Sequence, residues 1–382
     1  MIKPIHYAGL PLMLTFGAAH ASAADTIKFG VPVPLSGPYA EAGSDIVHGA
    51  QLAAQKINAA GGILGKKIEI VPEDDGCDAQ TGVEAAQKLV DSGVAVVTGS
   101  YCSGSALPEL IALHRAGIPY VLDAATNPKL TQMGFDNVFR VIGRDDQQGP
   151  FAAAYIANYL HAKKAAVIND NTPYSKGLAD NTVASLKKDG VDIVYNDSIT
   201  PGQMDYSAVL AHVASLKPDV IYYTGYFSEA GLLAKEAAAL HLKAQMMGGD
   251  ATNDATLIKT AGAGADGWIS TTAPLPQFLA GAKDFVTDFT KQFNTAPGPY
   301  SVYEYDSVGV AAQAIKNANS TDPAAIIKAL QAIKDYPGIT GSITFDKQGD
   351  RTKASYITVI VKNGAFTAGQ TLNSAGQWVS AK

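Results

Sequence analysis

From Ile27 onward, short apolar runs alternate with amphipathic stretches about every 25 to 30 residues, the rhythm of strand–helix–strand units that build a parallel sheet. The pattern predicts strands starting near Ile27, Lys67, Val94, Ile118 and Val138, and a second set near Ala165, Val191, Asp219, Ala244 and Gly267. Their cores, such as Val94-Ala95-Val96-Val97 and Val220-Ile221-Tyr222-Tyr223, are continuously apolar, as strands covered on both faces require. Between them the period turns helical. Val47, Ala50, Ala54 and Ile57 share one face, and Phe285, Phe289 and Phe293 recur every fourth residue, a stripe that reads as core packing. Five units end near Gly143 and five more near Ser270, giving two similar halves without a residue-level repeat.

After Thr272 come Pro274-Leu275-Pro276, a long helix, a Pro297-Gly298-Pro299 break, a helix around Ser307 to Ala318, and β-like segments at Ser342 to Phe345 and Ser355 to Val361. This tail is too strand-poor for a third domain and is expected to pack back onto both halves. The predicted fold is therefore α/β and two-lobed, each lobe a parallel sheet flanked by helices, with a hinge of several crossings. Lobe 1 is expected to hold residues 24–143 and about 273–347, and lobe 2 residues 144–272 and about 355–382.

Residues 1–23 read as a cleavable export signal: Lys3, an apolar stretch through Phe16, then Ala21-Ser22-Ala23. That stretch is too short to span a membrane, no later run reaches about 18 apolar residues, and no cysteine stands at the cleavage site to take a lipid. The expectation is a soluble periplasmic monomer beginning near Ala24. Without Lys3, 28 basic residues face 35 acidic ones, a net charge of −7. With no basic cluster, no nucleic-acid partner is expected, and anionic lipid should repel the chain.

The chain has two cysteines, and Cys102 lies in Gly99-Ser100-Tyr101-Cys102-Ser103-Gly104, where a strand should turn into a helix. By position it suits a nucleophile, a redox partner, a metal ligand or a staple. Export and an even count favour a disulfide with Cys77, worth about 3 to 4 kcal/mol by loop entropy.

Ligands of open parallel sheets bind beyond the carboxyl ends of the strands, so polar residues there are the candidates. Ser103 stands at a helix start, where free amides attract a carboxylate; capping alone explains it equally well. Asp123-Ala124-Ala125-Thr126-Asn127-Pro128 offers close backbone approach at Ala124 and two donors at Thr126, or a plain turn. Tyr226 and Asp250 follow neighbouring strands and together could hold an ammonium group; the competing readings are packing for Tyr226 and capping before Ala255 for Asp250. Nucleotide-binding glycine motifs and the Gly-x-Ser-x-Gly elbow are absent. The seven histidines form no metal-spaced cluster, and Asp74-Asp75 and Asp145-Asp146 read as turn or capping pairs. No metal or cofactor is expected.

Seven segments in order carry a family likeness: Leu35-Ser36-Gly37-Pro38, Asn58-Ala59-Ala60-Gly61-Gly62-Ile63-Leu64-Gly65, Asp74-Asp75-Gly76-Cys77-Asp78, Cys102-Ser103, Ala124-Ala125-Thr126, Asp146-Gln147-Gln148-Gly149-Pro150 and Tyr222-Tyr223-Thr224-Gly225-Tyr226. Over nearly the whole mature chain it resembles the periplasmic leucine/isoleucine/valine-binding proteins of ABC transporters, type I solute-binding proteins. The resemblance implies a free amino acid clamped by hinge closure and delivered to an ABC permease in the inner membrane, without catalysis. It implies a Cys77–Cys102 disulfide. Ser103, Thr126 and the Ala124 carbonyl would hold the α-carboxylate and part of the amine, Tyr226 and Asp250 would complete the amine site, Tyr174 would close over it, and a residue near Tyr303 or Tyr305 would line it. Two departures stand out: Asp250 replaces the usual glutamate, and Ala42 replaces an aromatic, leaving space that Tyr101 would partly fill. The alternatives are a ligand sensor of the same fold, a binder of a related amide or small carboxylic acid, and an exported hydrolase using Ser103 or Cys102, which lack a nearby histidine.

Overall fold

The computed structural model describes residue 1 and residues 26–381; the export-signal reading lies outside the described residues. All ten expected strands form, each within two residues of its expected start. They are β1 (Ile27–Val33), β2 (Ile68–Asp74), β3 (Val96–Thr98), β4 (Tyr120–Leu122), β5 (Val138–Arg140), β6 (Lys164–Asn169), β7 (Asp192–Ser198), β8 (Val220–Tyr223), β9 (Gln245–Gly248) and β10 (Ile269–Thr272). The first sheet has the order β2-β1-β3-β4-β5 and is wholly parallel. The second repeats that order as β7-β6-β8-β9-β10, again parallel. The two halves share topology without sharing residues.

The tail departs from expectation. It contributes the hairpin β11 (Tyr336–Gly338) and β12 (Gly341–Ile343), then β13 (Ile357–Lys362), β14 (Ala365–Leu372) and β15 (Trp378–Ser380), which extend the second sheet antiparallel beyond β10. That sheet is mixed, its five parallel strands continued by three antiparallel ones from the tail. β14 and β15 escaped notice because antiparallel strands with one solvated face lack a continuous apolar run. One signal was available: Asn363-Gly364, both at positive φ, make the two-residue turn of the β13–β14 hairpin.

The chain crosses between the sheets three times: after β5 into helix Asp145–Ala154, after β10 into the tail helices, and after Arg351 into β13. Helix Ser301–Ala318 returns to the first half and packs on helix Ala40–Ala59. The two helices meet at Gly49, where a Cβ would stand 2.2 Å from the Ser301 carbonyl oxygen. Phe285 and Phe289 are buried beside them, while Phe293 is half-buried and stacks on His48 at 4.0 Å. In the third crossing, residues 349–351 pair alongside β5. The Arg140 N–H donates to the Gly349 carbonyl (2.8 Å), and the Arg351 N–H donates to the Arg140 carbonyl (3.1 Å). Gly349 is needed there, because its φ is +87° and a Cβ would lie 2.0 Å from the Val138 carbonyl oxygen.

Cys77 and Cys102 form a disulfide with Cα atoms 5.3 Å apart. The same turn is held by Asp75, which accepts from the Cys77 N–H and from the Ser105 hydroxyl, each at 2.8 Å. Replacing both cysteines by serine should lower unfolding free energy by about 3 kcal/mol in a denaturant titration, since the closed loop spans 25 residues. An unchanged midpoint would show that the Asp75 contacts suffice.

Candidate functional site

The candidate residues converge where the carboxyl ends of the two sheets face each other. Each parallel sheet changes winding direction between its central strands, β1 and β3 or β6 and β8, and leaves a crevice there. Tyr101 and Ser103 follow β3, Ala124 and Thr126 follow β4, Tyr174 lies in the first turn of the helix after β6, Tyr226 follows β8, and Asp250 follows β9. All are buried.

Asp250 is the electrostatic centre. The Tyr174 hydroxyl donates to its Oδ1 (2.7 Å) and the Tyr300 hydroxyl to its Oδ2 (3.1 Å). Burial pushes the Asp250 carboxyl above the ordinary aspartate range, opposed by hydrogen bonds from Tyr174, Gln148 and Tyr300. Burial also raises the Tyr174 and Tyr300 phenols well above the usual tyrosine range, and the Asp250 charge adds to this, so both stay protonated donors. Asp250 is not the cap before Ala255. Asp254 has that role, accepting from the Thr256 N–H at 2.7 Å.

Five tyrosines line the crevice. The Tyr226 ring lies 4.8 Å from Tyr39, 5.8 Å from Tyr101 and 5.2 Å from Tyr174, and Tyr101 lies 5.6 Å from Tyr300. Tyr39, Tyr101 and Tyr300 come from one side and Tyr174 and Tyr226 from the other, so ring faces bridge the lobes. Tyr39 and Tyr300 were missed by sequence reasoning. Tyr39 directly follows the Ser36-Gly37-Pro38 turn and supplies an aromatic ring near the place where Ala42 lacks one; Ala42 instead lines a groove of about 380 Å³ together with Asp45 and Asp254. Tyr300 closes the Pro297-Gly298-Pro299 break. Tyr303 and Tyr305 do not join the ring: the Tyr303 hydroxyl donates to the Pro274 carbonyl, and Tyr305 packs edge-on against Phe285.

The opposite pole is the start of helix Ser103–Arg115. Cys102 holds the N-cap position and Ser103 is the first helical residue, so the Ser103 hydroxyl does not cap its own helix. It accepts instead from the Asn127 N–H (3.3 Å), joining the ends of β3 and β4. The first amides of a helix have no intrahelical acceptor and carry partial positive charge. Beside them, the Thr126 hydroxyl is buried without a hydrogen-bond partner. Asn127 also ties the two sides together, its Nδ2 donating to the Pro173 carbonyl at 2.7 Å. Ala124 and Ala125 hold their shape through their N–H groups, which donate to the Ser100 hydroxyl at 3.4 and 3.1 Å.

Arg140 sets this loop. Its Nη1 donates to the Ala125 and Asn127 carbonyls on either side of Thr126 (3.2 and 2.9 Å), while Nε and Nη2 engage Asp350 (2.9 and 2.8 Å). Among the described residues no group of histidine, cysteine and acidic side chains is placed to hold a metal, and no helix is long and apolar enough to cross a membrane.

Comparison with known proteins agrees with this architecture. Residues 26–365 match the family model described as periplasmic binding protein. The chain belongs to that family. It is 34% identical over 359 residues to the Leu/Ile/Val-binding protein homolog 1 of Brucella suis, covering 94% of this chain and 96% of that one. It is also 34% identical over 339 residues to the leucine-specific-binding protein of Salmonella typhimurium, covering 88% and 91%. The branched-chain amino acid transporter substrate-binding protein LivJ of Streptococcus pneumoniae, solved in complex with isoleucine, superposes with a TM-score of 0.84 at 30% identity, covering 93% of this binding protein and all of that chain. The type I periplasmic binding protein fold is thereby established for this chain, with its two lobes and crossing hinge.

Proposed function

We propose that this binding protein captures a free amino acid with a compact aliphatic or branched side chain between its lobes and delivers it to an ABC permease. The observation that carries the reading is the pairing of two opposite poles in one buried crevice. Asp250, fixed by two phenols, matches an ammonium group; the helix start at Ser103, with the unpartnered Thr126 hydroxyl beside it, matches a carboxylate. A zwitterion leaves water only if each polar group finds a fixed partner, which makes such a site selective. Tyrosine ring faces supply apolar walls, and burying a leucine-sized side chain against them contributes about 2 kcal/mol. The relatives carry Leu/Ile/Val-binding names and one was solved with isoleucine, which supports the same class of ligand here.

In this reading the Ala124 carbonyl shares the amine with Asp250 and Tyr226, and Tyr174 closes from the second lobe. The lobes that move are residues 26–143 with about 273–347, against 144–272 with about 355–381. The protein acts as an exported monomer. A thermal-shift screen of the twenty amino acids with small aromatic and aliphatic acids tests the reading: amino acids should raise the melting temperature. If only amine-free acids did so, the role of Asp250 would fall.

Ser103→Ala should weaken binding by about ten- to a hundredfold, because the helix amides remain and one hydrogen bond to a charged group is worth about 1.5 to 3 kcal/mol. Abolished binding with an intact fold would instead place the hydroxyl at the centre of carboxylate recognition.

A further inference from the structure

The interior of the first half holds two carboxyl groups in contact, with no cation beside them. Asp75 follows β2 and is 1% exposed; Glu109 lies midway along helix Ser103–Arg115 and is fully buried. Their side chains meet in hydrogen-bond contact. Two carboxylates cannot share such a contact, because neither brings a hydrogen and like charges repel strongly away from water. One of the two therefore carries a proton in the folded protein.

Their other partners decide which one. Asp75 Oδ1 accepts from the Cys77 N–H and Oδ2 from the Ser105 hydroxyl, each at 2.8 Å. Glu109 accepts only from the Tyr120 hydroxyl, at Oε2 (2.8 Å), and its Oε1 has no donor. The carboxyl with more donors keeps the charge, so the proton belongs on Glu109 Oε1, where it can be given to Asp75. Nothing packed around the pair supplies a counter-charge. The turn after β2 adds Asp74, β4 adds the Tyr120 phenol, and helix Ala79–Asp91 presents Gly82, where a Cβ would stand 2.9 Å from Glu109 Oε1. Among the described residues no lysine, arginine or histidine is hydrogen-bonded or ion-paired to either carboxyl. Burial, with the Asp75 charge next in importance, pushes the Glu109 carboxyl well above the ordinary glutamate range.

We propose that Glu109 is a positioning residue that stays neutral in the fold and donates its proton to Asp75, so that the pair braces the start of helix Ser103–Arg115. Asp75 passes the restraint on in two directions. Through the Cys77 N–H it reaches the disulfide, and through the Ser105 hydroxyl, itself 3.0 Å from the Cys102 carbonyl, it reaches the N-cap of the helix. That helix start is the carboxylate pole of the crevice, so the consequence for binding rests on the amino-acid reading above. The brace itself does not.

Glu109→Gln is the decisive variant, because glutamine cannot ionise yet offers an amide hydrogen to Asp75 and an oxygen to Tyr120. A carboxyl whose folded pKa is raised takes up a proton on folding. Its contribution to stability is complete below the unfolded value of about 4.3 and is lost as pH rises toward the folded one. In urea titrations from about pH 5.5 to 8, the folded-to-unfolded ratio of the wild type relative to Glu109→Gln should therefore drop about tenfold per pH unit. A relative ratio that stays constant would show Glu109 ionised in the folded chain and overturn the proposal. At pH 7 the wild-type minus Glu109→Gln infrared difference should show the carbonyl stretch of a protonated carboxyl, and its absence would refute the proposal as well. Calorimetry with L-isoleucine reads the positioning. Glu109→Gln should bind like the wild type and Glu109→Ala about tenfold more weakly, as for a lost buried hydrogen bond. An alanine variant with wild-type affinity would overturn the positioning role. A wild type that gives no heat with L-isoleucine would count against the ligand reading instead, and the urea and infrared comparisons then decide the Glu109 proposal alone.

Discussion

Asp250→Ala is expected to weaken amino-acid binding by between roughly thirtyfold and several thousandfold, the cost of about 2 to 5 kcal/mol for leaving a buried charge without its hydrogen-bonded partner. The ligand ammonium would keep the neutral Ala124 carbonyl and the Tyr226 phenol but lose the carboxylate that Asp250 supplies, and the Tyr174 and Tyr300 hydroxyls would lose their acceptor as well. Calorimetry against the amino acids that stabilise the wild type gives the value. Unchanged affinity would remove Asp250 from the site. The pH dependence has a definite sign. Binding needs the Asp250 carboxylate, whose folded pKa is raised by burial, so affinity should fall on acidification beginning above the ordinary aspartate range. Asp250→Asn should be weak throughout and lose that acid limb.

Asp350→Ala should produce the largest loss of stability, about 3 to 5 kcal/mol, because it strands a guanidinium in the interior. Arg140 is fully buried and Asp350 is 3% exposed. Asp350 accepts from Arg140 Nε (2.9 Å), Arg144 Nη1 (2.7 Å) and the Thr131 hydroxyl (2.7 Å). Burial works to raise its pKa, but the two arginines and Thr131 together hold it below the usual aspartate value. A depressed carboxylate stabilises the fold above its unfolded pKa and loses that contribution as pH falls through the folded value. Urea titrations at pH 7 and at about pH 3 should therefore show the wild type and Asp350→Ala converging in acid, since the unfolded aspartate titrates near 4. A variant as stable as the wild type at pH 7 would mean that water replaces the carboxylate. Because Arg140 also grips the carbonyls beside Thr126, the same variant should loosen ligand binding, linking the third crossing to the site.

The central parallel strands were legible because strands buried on both faces must be apolar throughout, whereas the half-exposed edge strands β2 and β7 were legible from the strand–helix rhythm around them. The positions after β3, β4, β8 and β9 were legible for a related reason, since topology leaves a crevice at strand ends whatever residues fill it. Tyr39 and Tyr300 were not legible from pattern. Each stands beside a proline-containing turn, and a lone tyrosine there reads as packing until the opposite lobe brings Asp250 or Tyr226 to it. Asp145 was hidden by its neighbour. Asp145-Asp146 reads as a capping pair, and only the fold separates Asp146, paired with Arg144 at 2.9 Å, from Asp145, buried without a partner.

By itself, the amino-acid pattern determined the number, order and type of the principal strands, the bridging cysteines and the loops from which a site would be drawn, because burial and turn chemistry act over a few neighbouring residues. Tertiary structure alone decided which loop residues meet. Tyr174, Tyr226 and Asp250 are placed by the second sheet and Tyr39, Tyr101 and Tyr300 by the first half and its returning tail. Their contacts depend on how the crossings orient two lobes, a relation between distant segments that no local run of residues encodes.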